Sequence, residues 1–328
     1  MAKGGLSLRT RMMVGVLLLT LMGISIVWGR NFLALREERI EAELRQVAEN
    51  DQEVFDAVCR DEARRSLILA DRIRAFPGVI QAFASRDRGA LAALVDPLWK
   101  MANESYGVGQ MQFHLPNVTS FLRMNSKKFG DSLLFRTGLV AVLTQGKTFT
   151  GPELGIFGFY LRGILPVMEE ERLIGSFEVG VELRPVIHRV AEATEASLSV
   201  FAPTDDVRKM EFAASFDVGG FSLVATTEED ASPERFPEEL FKGIMEKDSR
   251  YLRREGEGMR ASPLMNSFGE VVGAVVVRVD ARSAQEAIAE GRSGARAAAA
   301  GGGALCALVG GYLLRKRPSS PRAKARRP

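Results

Sequence analysis

Two uncharged hydrophobic segments, residues 12–29 and 297–314, stand near the two ends of the chain. Each would form about 27 Å of helix at ~1.5 Å per residue, close to the ~30 Å hydrocarbon core of a bilayer. We therefore predict two transmembrane helices. A cleaved signal peptide is the alternative for the first segment, although no small-residue cleavage site follows it. The second is rich in alanine and glycine, so a flexible linker is its alternative.

Residues 30–76 predict one long stalk helix. Apolar residues such as Ile40, Leu44 and Val47 recur at helical spacing, with charged residues and glutamine between them. We expect the helix to break at Pro77-Gly78. Its narrow apolar stripe suits packing against a second copy of the helix, or equally against its own domain.

Residues 77–280 alternate between helical and strand-like patterns, which predicts an α+β fold with antiparallel sheets. In the first half we expect helices over 90–105, 132–145 (with Asp131 as N-cap) and 184–193, and strands over 108–114, 155–167 and 173–183. In the second half we expect one helix over 233–247 and strands over 197–201, 210–216, 221–227, 250–262 and 270–280.

Charge is distributed unevenly along the chain. Of the 44 Lys and Arg residues, eleven lie outside residues 30–295, where there is no acidic residue; the remaining 33 bases face 41 acids, a balance of −8. Basic ends next to both spans place both termini in the cytoplasm by the positive-inside bias. The acidic region, residues 30–296, would then be periplasmic, in the inner membrane of a bacterium. An acidic folded region also argues against nucleic-acid binding.

Alternating polar residues predict a shared polar face on three strands. Residues two apart lie on the same side of a strand. Gln110, Gln112 and His114 share one face of the first strand, and Tyr160 with Arg162 and Ser176 with Glu178 do the same on the next two. This face either meets water or lines a pocket.

The pocket hypothesis assigns roles to nine residues. Tyr106 and Phe121 would be apolar walls, and Asp131 would hold the covering loop. Arginines recognise carboxylates by paired hydrogen bonds, so a carboxylate or another planar anion is the expected ligand. The alternative for each arginine is an internal ion pair with Asp131, Glu153 or Glu178. The anion would be anchored by Arg123, Arg136 and Arg162, and oriented by His114, Tyr160 and Glu178.

No enzyme motif stands out. The chain has two histidines and two cysteines, and it lacks the P-loop, CxxC, HExxH and nucleophile-elbow patterns. We therefore expect no catalytic activity and no cofactor. Metal or haem binding through His114 is the weaker alternative, because no second histidine or cysteine stands at ligand spacing.

The runs QFHLPNVTSFLR, KFGDSLLFR, GPELGIFGFYLRGILPV and IGSFEVGVEL, in this order, resemble the double Cache sensory domains of bacterial chemoreceptors and sensor kinases. The resemblance implies two PAS-like units in series and usually a homodimer. On this basis residues 77–195 are expected to be the membrane-distal, ligand-binding unit and 196–280 the membrane-proximal unit. Residues 281–296 would be a connecting helix, with 1–11 and 315–328 as cytoplasmic ends.

The sequence thus predicts a membrane-anchored sensor that binds a small ligand and transmits a conformational signal through its transmembrane helices. No kinase or methyl-accepting segment follows residue 314 in this sequence, so we expect the output to lie in a separate protein. The alternative is a structural or scaffolding membrane protein whose external domain binds another protein. That function predicts an exposed apolar patch in place of an enclosed pocket.

Overall fold

The computed structural model describes residues 7–212, 214–254 and 256–280. The predicted connecting helix at 281–296, the second span at 297–314 and the basic tail at 315–328 lie outside the described residues, as do residues 1–6.

Helix α1 (Leu8–Arg74) contains the first apolar segment. Within the described residues it is the one helix that is long and apolar enough to cross a membrane, a test that a signal sequence near the N-terminus also passes. Most side chains between Met12 and Trp28 are exposed. An exposed apolar surface of this length is compatible with the hydrocarbon core of a membrane.

Residues 44–280 form a compact unit. Its first elements are helical. The end of α1 near Pro77-Gly78 was predicted correctly, since Gly78 has a positive φ of 86° and precedes α2 (Val79–Ala84). Helix α3 (Arg88–Tyr106) begins where Asp87 accepts a hydrogen bond from the Ala90 amide, an ordinary N-cap.

The elements that follow α3 are β1 (Val108–His114), β2 (Ser120–Arg123), α4 (Thr137–Gln145), β3 (Phe149–Gly155), β4 (Gly158–Glu169), β5 (Arg172–Glu182) and α5 (Leu183–Thr194). The five strands form an antiparallel sheet, the first sheet, in the order β2-β1-β5-β4-β3, a PAS-like arrangement. Three of these strands match the prediction, while β2 and β3 were not predicted.

The predicted start of α4 was wrong. The helix begins at Thr137, five residues after the expected position, and Asp131 is not its N-cap. The carboxylate of Asp131 accepts two hydrogen bonds from the Arg123 guanidinium, at 2.7 and 2.8 Å, and is therefore engaged elsewhere. A charged bidentate pair holds this carboxylate more firmly than a cap does.

The second sheet has six antiparallel strands in the order β7-β8-β6-β11-β10-β9. Its elements are β6 (Ser197–Pro203), α6 (Thr204–Val207), β7 (Asp217–Val218), β8 (Phe221–Thr226), β9 (Arg250–Arg254), β10 (Glu257–Met265) and β11 (Val271–Asp280).

Three predictions for this half were wrong. The described residues of 210–216 form bends and irregular coil, and 233–247 contains two short 3-10 helices, Pro233–Arg235 and Glu238–Phe241. The expected strand over 250–262 is a hairpin of β9 and β10. Gly256, with φ of 79°, permits its tight turn.

One face of the first sheet is an aromatic and aliphatic core. Phe113 on β1 stacks on Phe177 of β5 with centroids 4.3 Å apart, and Phe83 of α2 packs against Phe113. Helix α1 crosses this face so closely that a Cβ on Gly163 would lie 2.1 Å from the Leu67 amide nitrogen. A glycine is therefore required at this crossing, and the opposite face of the sheet is left for polar residues.

Candidate functional site

The polar face of the first sheet is buried, so the alternative that it meets water is wrong. Gln112, His114 and Glu178 are completely inaccessible to solvent. The connection between β2 and α4, together with α4 itself, covers them. Leu133 of this connection packs with α4 and with Ile164 of β4 in an apolar cluster beside the polar side chains.

Arg136 occupies the centre of the polar cluster. It stands just before α4 and points its guanidinium between two carboxylates on separate strands. The Nη2 atom donates to Glu153 Oε2 and Glu178 Oε2, both at 2.5 Å, while Nε donates to Glu153 Oε2 at 2.9 Å and Nη1 to Glu178 Oε1 at 3.2 Å. Burial acts to lower the pKa of Arg136, yet the two carboxylates outweigh it and raise the pKa.

Arg162, on β4, joins the same network. Its Nη1 donates to Glu153 Oε2 and its Nη2 to Gln110 Oε1, both at 2.9 Å. The guanidinium carbon lies 5.2 Å from the ring centroid of Tyr160, within the range of a cation–π contact. Burial, aided by the nearby charge of Arg136, lowers the pKa of Arg162.

Glu178 and His114 share the deepest part of the cluster. Burial acts to raise the pKa of Glu178, but the charges of Arg136 and Arg162 outweigh it and lower the pKa to about 2. Burial lowers the pKa of His114 to about 3, against the opposing charge of Glu178. His114 is therefore neutral at ordinary pH, with Nδ1 at 3.0 Å from the Ser176 hydroxyl. It is a polar wall of the site and carries no charge there.

Arg123 and Asp131 hold the covering connection against β2. Besides their bidentate pair, the connection is tied to the sheet edge by its backbone: the Ser120 amide donates to Asp131 O at 3.1 Å and the Leu133 amide to Val118 O at 2.9 Å. Burial acts to raise the pKa of Asp131, but the hydrogen bonds and charge of Arg123 outweigh it and lower the pKa. The Asp131 carboxylate therefore ties the covering connection to Arg123 at the end of β2.

Seven of the nine predicted site residues are brought together, and two are not. Tyr106 ends α3 with 63% of its surface exposed. Phe121 packs on Phe83 in the opposite, apolar core, with ring centroids 5.5 Å apart. A β-bulge explains the position of Phe121: the register between β1 and β2 shifts, so that Ser120, and not Phe121, pairs with His114.

Sequence reasoning left Glu153, Gln110 and Gln112 out of the site. Glu153 belongs to β3, an edge strand whose Gly-Pro pair hides the strand pattern. The two glutamines were placed on the polar face and could have been included. They continue the network, since Gln110 donates to Gln112 Oε1 and Gln112 donates to the Ser120 hydroxyl.

The cluster is balanced in charge but not fully satisfied in hydrogen bonds. Three arginines face Asp131, Glu153 and Glu178, so the internal-ion-pair alternative holds for all three arginines. Even so, buried polar atoms are usually paired. Among the described residues, four atoms of this cluster lack a hydrogen-bond partner: His114 Nε2, Arg123 Nε, Glu153 Oε1 and Arg162 Nε.

A cavity of about 10 Å³ lies within the cluster, bounded by Arg123, Arg136 and Arg162 together with Gln110, Leu133 and Phe157. This is about the space of one water molecule. A small organic molecule therefore fits only after the covering side chains move.

A larger groove of about 780 Å³ lies beside α1, among Asp56, Arg60, Pro152 and Met265. Its volume falls in the range of ligand pockets. The groove lies outside the polar cluster and shares none of its charged residues. No group of three or more His, Cys, Asp or Glu residues in the part of the chain that is described has the arrangement of a metal site.

A sequence model of the family described as "double sensory domain of two-component sensor kinase" matches residues 44–234, more than half of the chain. No curated protein matches the sequence.

Solved structures of sensory domains are similar in fold at low identity. The extracellular domain of the putative histidine kinase vpHK1S-Z8 is 11% identical, with 76% of this chain and 98% of that chain covered and a TM-score of 0.49. The ligand-binding domain of the Campylobacter jejuni chemoreceptor Tlp3, in complex with 4-methylisoleucine, is 12% identical, with 76% and 94% covered and a TM-score of 0.46. The periplasmic domain of Vibrio cholerae LuxQ is 12% identical, with 72% and 99% covered and a TM-score of 0.42.

Proposed function

We propose that this chain, which belongs to the family of double Cache sensory domains of two-component sensor kinases, is a membrane-anchored sensor of a small molecule. The family is one of ligand-binding domains in signal transduction. The proposed binding site is the buried polar face of the first sheet, under the connection between β2 and α4.

The proposed ligand carries a carboxylate, and two unpaired donors support this choice. Arg123 and Arg162 both border the cavity, and the Nε atom of each has no hydrogen-bond partner among the described residues. A carboxylate oxygen accepts from such groups with a stronger, charge-assisted bond than a neutral oxygen would. Because the cluster is already balanced in charge, we expect the ligand to bring a positive group as well, or to displace one of the internal carboxylates.

Binding would be coupled to a change of conformation because the cavity is too small for the ligand. The Arg136 side chain, or the connection that carries it, has to move before a molecule of several heavy atoms fits. A ligand shifts such an equilibrium only by its different affinity for the two states. The open arrangement would therefore be the signalling-relevant minor state.

We further propose a location and an assembly for the chain in the cell. The apolar segment at 12–29 would anchor the chain in the bacterial inner membrane, and residues 30–296 would be periplasmic, with both termini in the cytoplasm. A homodimer would transmit the signal through its transmembrane helices to an output protein. The apolar stripe of α1, which leaves Val47 and Val54 exposed, supports the homodimer.

A thermal-shift screen with matched ligand pairs tests the function. The purified full chain is screened with small carboxylates, each beside its uncharged amide. A ligand present at ~100 times its Kd adds about 2.7 kcal/mol to the free energy of unfolding, enough for a rise of a few degrees in Tm.

The expected hit is a carboxylate whose amide has no effect and whose shift is lost in Arg162→Lys. Arg65→Lys is the matched control, because Arg65 is exposed and pairs with Asp61 on the surface of α1. A broad screen without any hit would contradict the proposal and favour a protein-binding scaffold.

A further inference from the structure

Arg136 differs from the other charged residues of the cluster in its position on the chain. Glu153, Glu178 and Arg162 belong to strands β3, β5 and β4 of the sheet, while Arg136 belongs to the connection that covers the sheet. Its guanidinium reaches the face from outside, and four hydrogen bonds to the two glutamates hold it there. A cationic ligand group would make the same contacts.

Charge explains why this position requires a cation. Without the Arg136 guanidinium, Glu153 and Glu178 would face Arg162 alone, since His114 is neutral and Arg123 is paired with Asp131. The sheet face would then hold one excess negative charge in a site closed to solvent. An unpaired buried charge is strongly unfavourable, so a positive group must replace the guanidinium that leaves.

Glu153, one of the two glutamates, also has unused hydrogen-bonding capacity. Arg136 donates twice to Glu153 Oε2, while Glu153 Oε1 has no hydrogen-bond partner among the described residues, although Glu153 is buried. The cavity beside the guanidinium is bounded by Arg136 itself. Glu153 is therefore only partly satisfied by its present partners, whereas both carboxylate oxygens of Glu178 accept hydrogen bonds from Arg136. The space for a different cation borders Arg136 and not the glutamates themselves.

We propose that Glu153 and Glu178 form a subsite for the cationic group of the ligand, an alkylguanidinium or alkylammonium, and that Arg136 is a built-in occupant which this group replaces. The subsite rests on the proposed function, because it lies in the same ligand site, next to Arg162, whose Nε atom is assigned to the carboxylate. The subsite specifies the charge and the chemical class of a second group on the ligand, beside its carboxylate. It also gives Arg136 a role of competitor in place of the anchor role expected from the sequence.

The test uses ethylguanidinium as the cation and N-ethylurea as its uncharged counterpart of the same shape. Both are titrated at millimolar concentration against the purified full chain, and the apparent Kd is taken from the rise in Tm. Arg136→Met removes the competitor and retains an apolar stem. We expect ethylguanidinium to bind the wild type weakly and Arg136→Met at least about tenfold more tightly, because the occupant no longer has to be displaced.

Adding Glu178→Gln to Arg136→Met removes half of the subsite and should abolish the response to ethylguanidinium. Equal binding of N-ethylurea, or no gain in Arg136→Met, would overturn the proposal. If Arg136→Met does not fold, Arg136→Lys serves instead, because its shorter ammonium reaches only one carboxylate and should also tighten ethylguanidinium binding. A carboxylate hit in the wild type without any cation response in either variant would leave the sensor function intact and refute the subsite alone.

Discussion

Substitutions of Arg136 and Glu178 should be strongly coupled in their effects on the free energy of unfolding. Arg136→Met leaves two buried carboxylates facing Arg162, and Glu178→Gln leaves two buried arginines facing Glu153. Removing one partner of a buried ion pair costs about 3–5 kcal/mol, because the other charge stays buried without compensation. We expect each single variant to lose that amount, a large part of the ~5–15 kcal/mol by which domains are stable.

The double variant should lose much less than the sum of the two. With Arg136→Met and Glu178→Gln together, one carboxylate of Glu153 faces one guanidinium of Arg162, which restores the charge balance. Groups in contact within one network couple by ~0.5–3 kcal/mol, and the short distances here place the value at the upper end, about 2–3 kcal/mol.

Urea unfolding followed by the fluorescence of Trp99, which packs partly buried against the apolar core of the first sheet, measures this coupling. The matched control is the exposed pair of Arg65 and Asp61, whose N–O distance is 2.7 Å. The double-mutant cycle of this surface pair should give a coupling energy of less than ~1 kcal/mol. A coupling energy for Arg136 and Glu178 no larger than that of the surface pair would refute the buried ion pair between them.

Two further perturbations probe the same sheet. Burial lowers the pKa of His114 to about 3, so the unfolded chain, whose histidine has a pKa of ~6.5, binds the proton more readily than the folded chain does. The free energy of unfolding is therefore highest above pH ~6.5 and decreases as the pH falls below that value. Between pH 7 and pH 5 the wild type should lose about 2 kcal/mol more than His114→Gln, measured by urea unfolding at both pH values, and equal losses would contradict the neutral buried imidazole. Gly163→Ala should lower the free energy of unfolding by more than ~3 kcal/mol, because its Cβ would lie 2.1 Å from the Leu67 amide nitrogen. Gly130→Ala is the matched control: its Cβ would meet open space, so only the positive φ of 82° is strained, and the cost should be about 1–2 kcal/mol. Similar losses in the two glycine variants, in thermal unfolding, would show that α1 does not cross β4 so closely.

The sequence was informative where a local pattern determines the structure. The period-two alternation of Gln110, Gln112 and His114 predicted the polar face of β1, and the break after α1 followed from Pro77-Gly78. Burial of that face could not be predicted. It depends on the connection between β2 and α4 folding back over the sheet, and a solvated face has the same alternation.

The errors arose where a distant partner outweighs the local signal. Asp131 looks like an N-cap in sequence, but Arg123, eight residues earlier, captures its carboxylate. Phe121 was expected to be an apolar wall of the pocket, but the bulge between β1 and β2 directs it into the opposite, apolar core. Glu153 was expected only as an ion-pair partner, because the strand that places it on the polar face, β3, contains Pro152 and has no clear strand pattern; an edge strand tolerates this proline.

Hydrogen–deuterium exchange on the purified full chain tests the sensor site most directly. It compares the protein alone with the protein in the presence of the carboxylate that gives the largest rise in Tm. We predict slower exchange in β1 (Val108–His114), in the connection from Asp131 to Arg136 and in β3 (Phe149–Gly155), the segments that hold the polar cluster. Slower exchange confined to the groove beside α1, near Asp56, Met265 and the β3 residues that line it, with β1 and the connection unchanged, would contradict the proposed site.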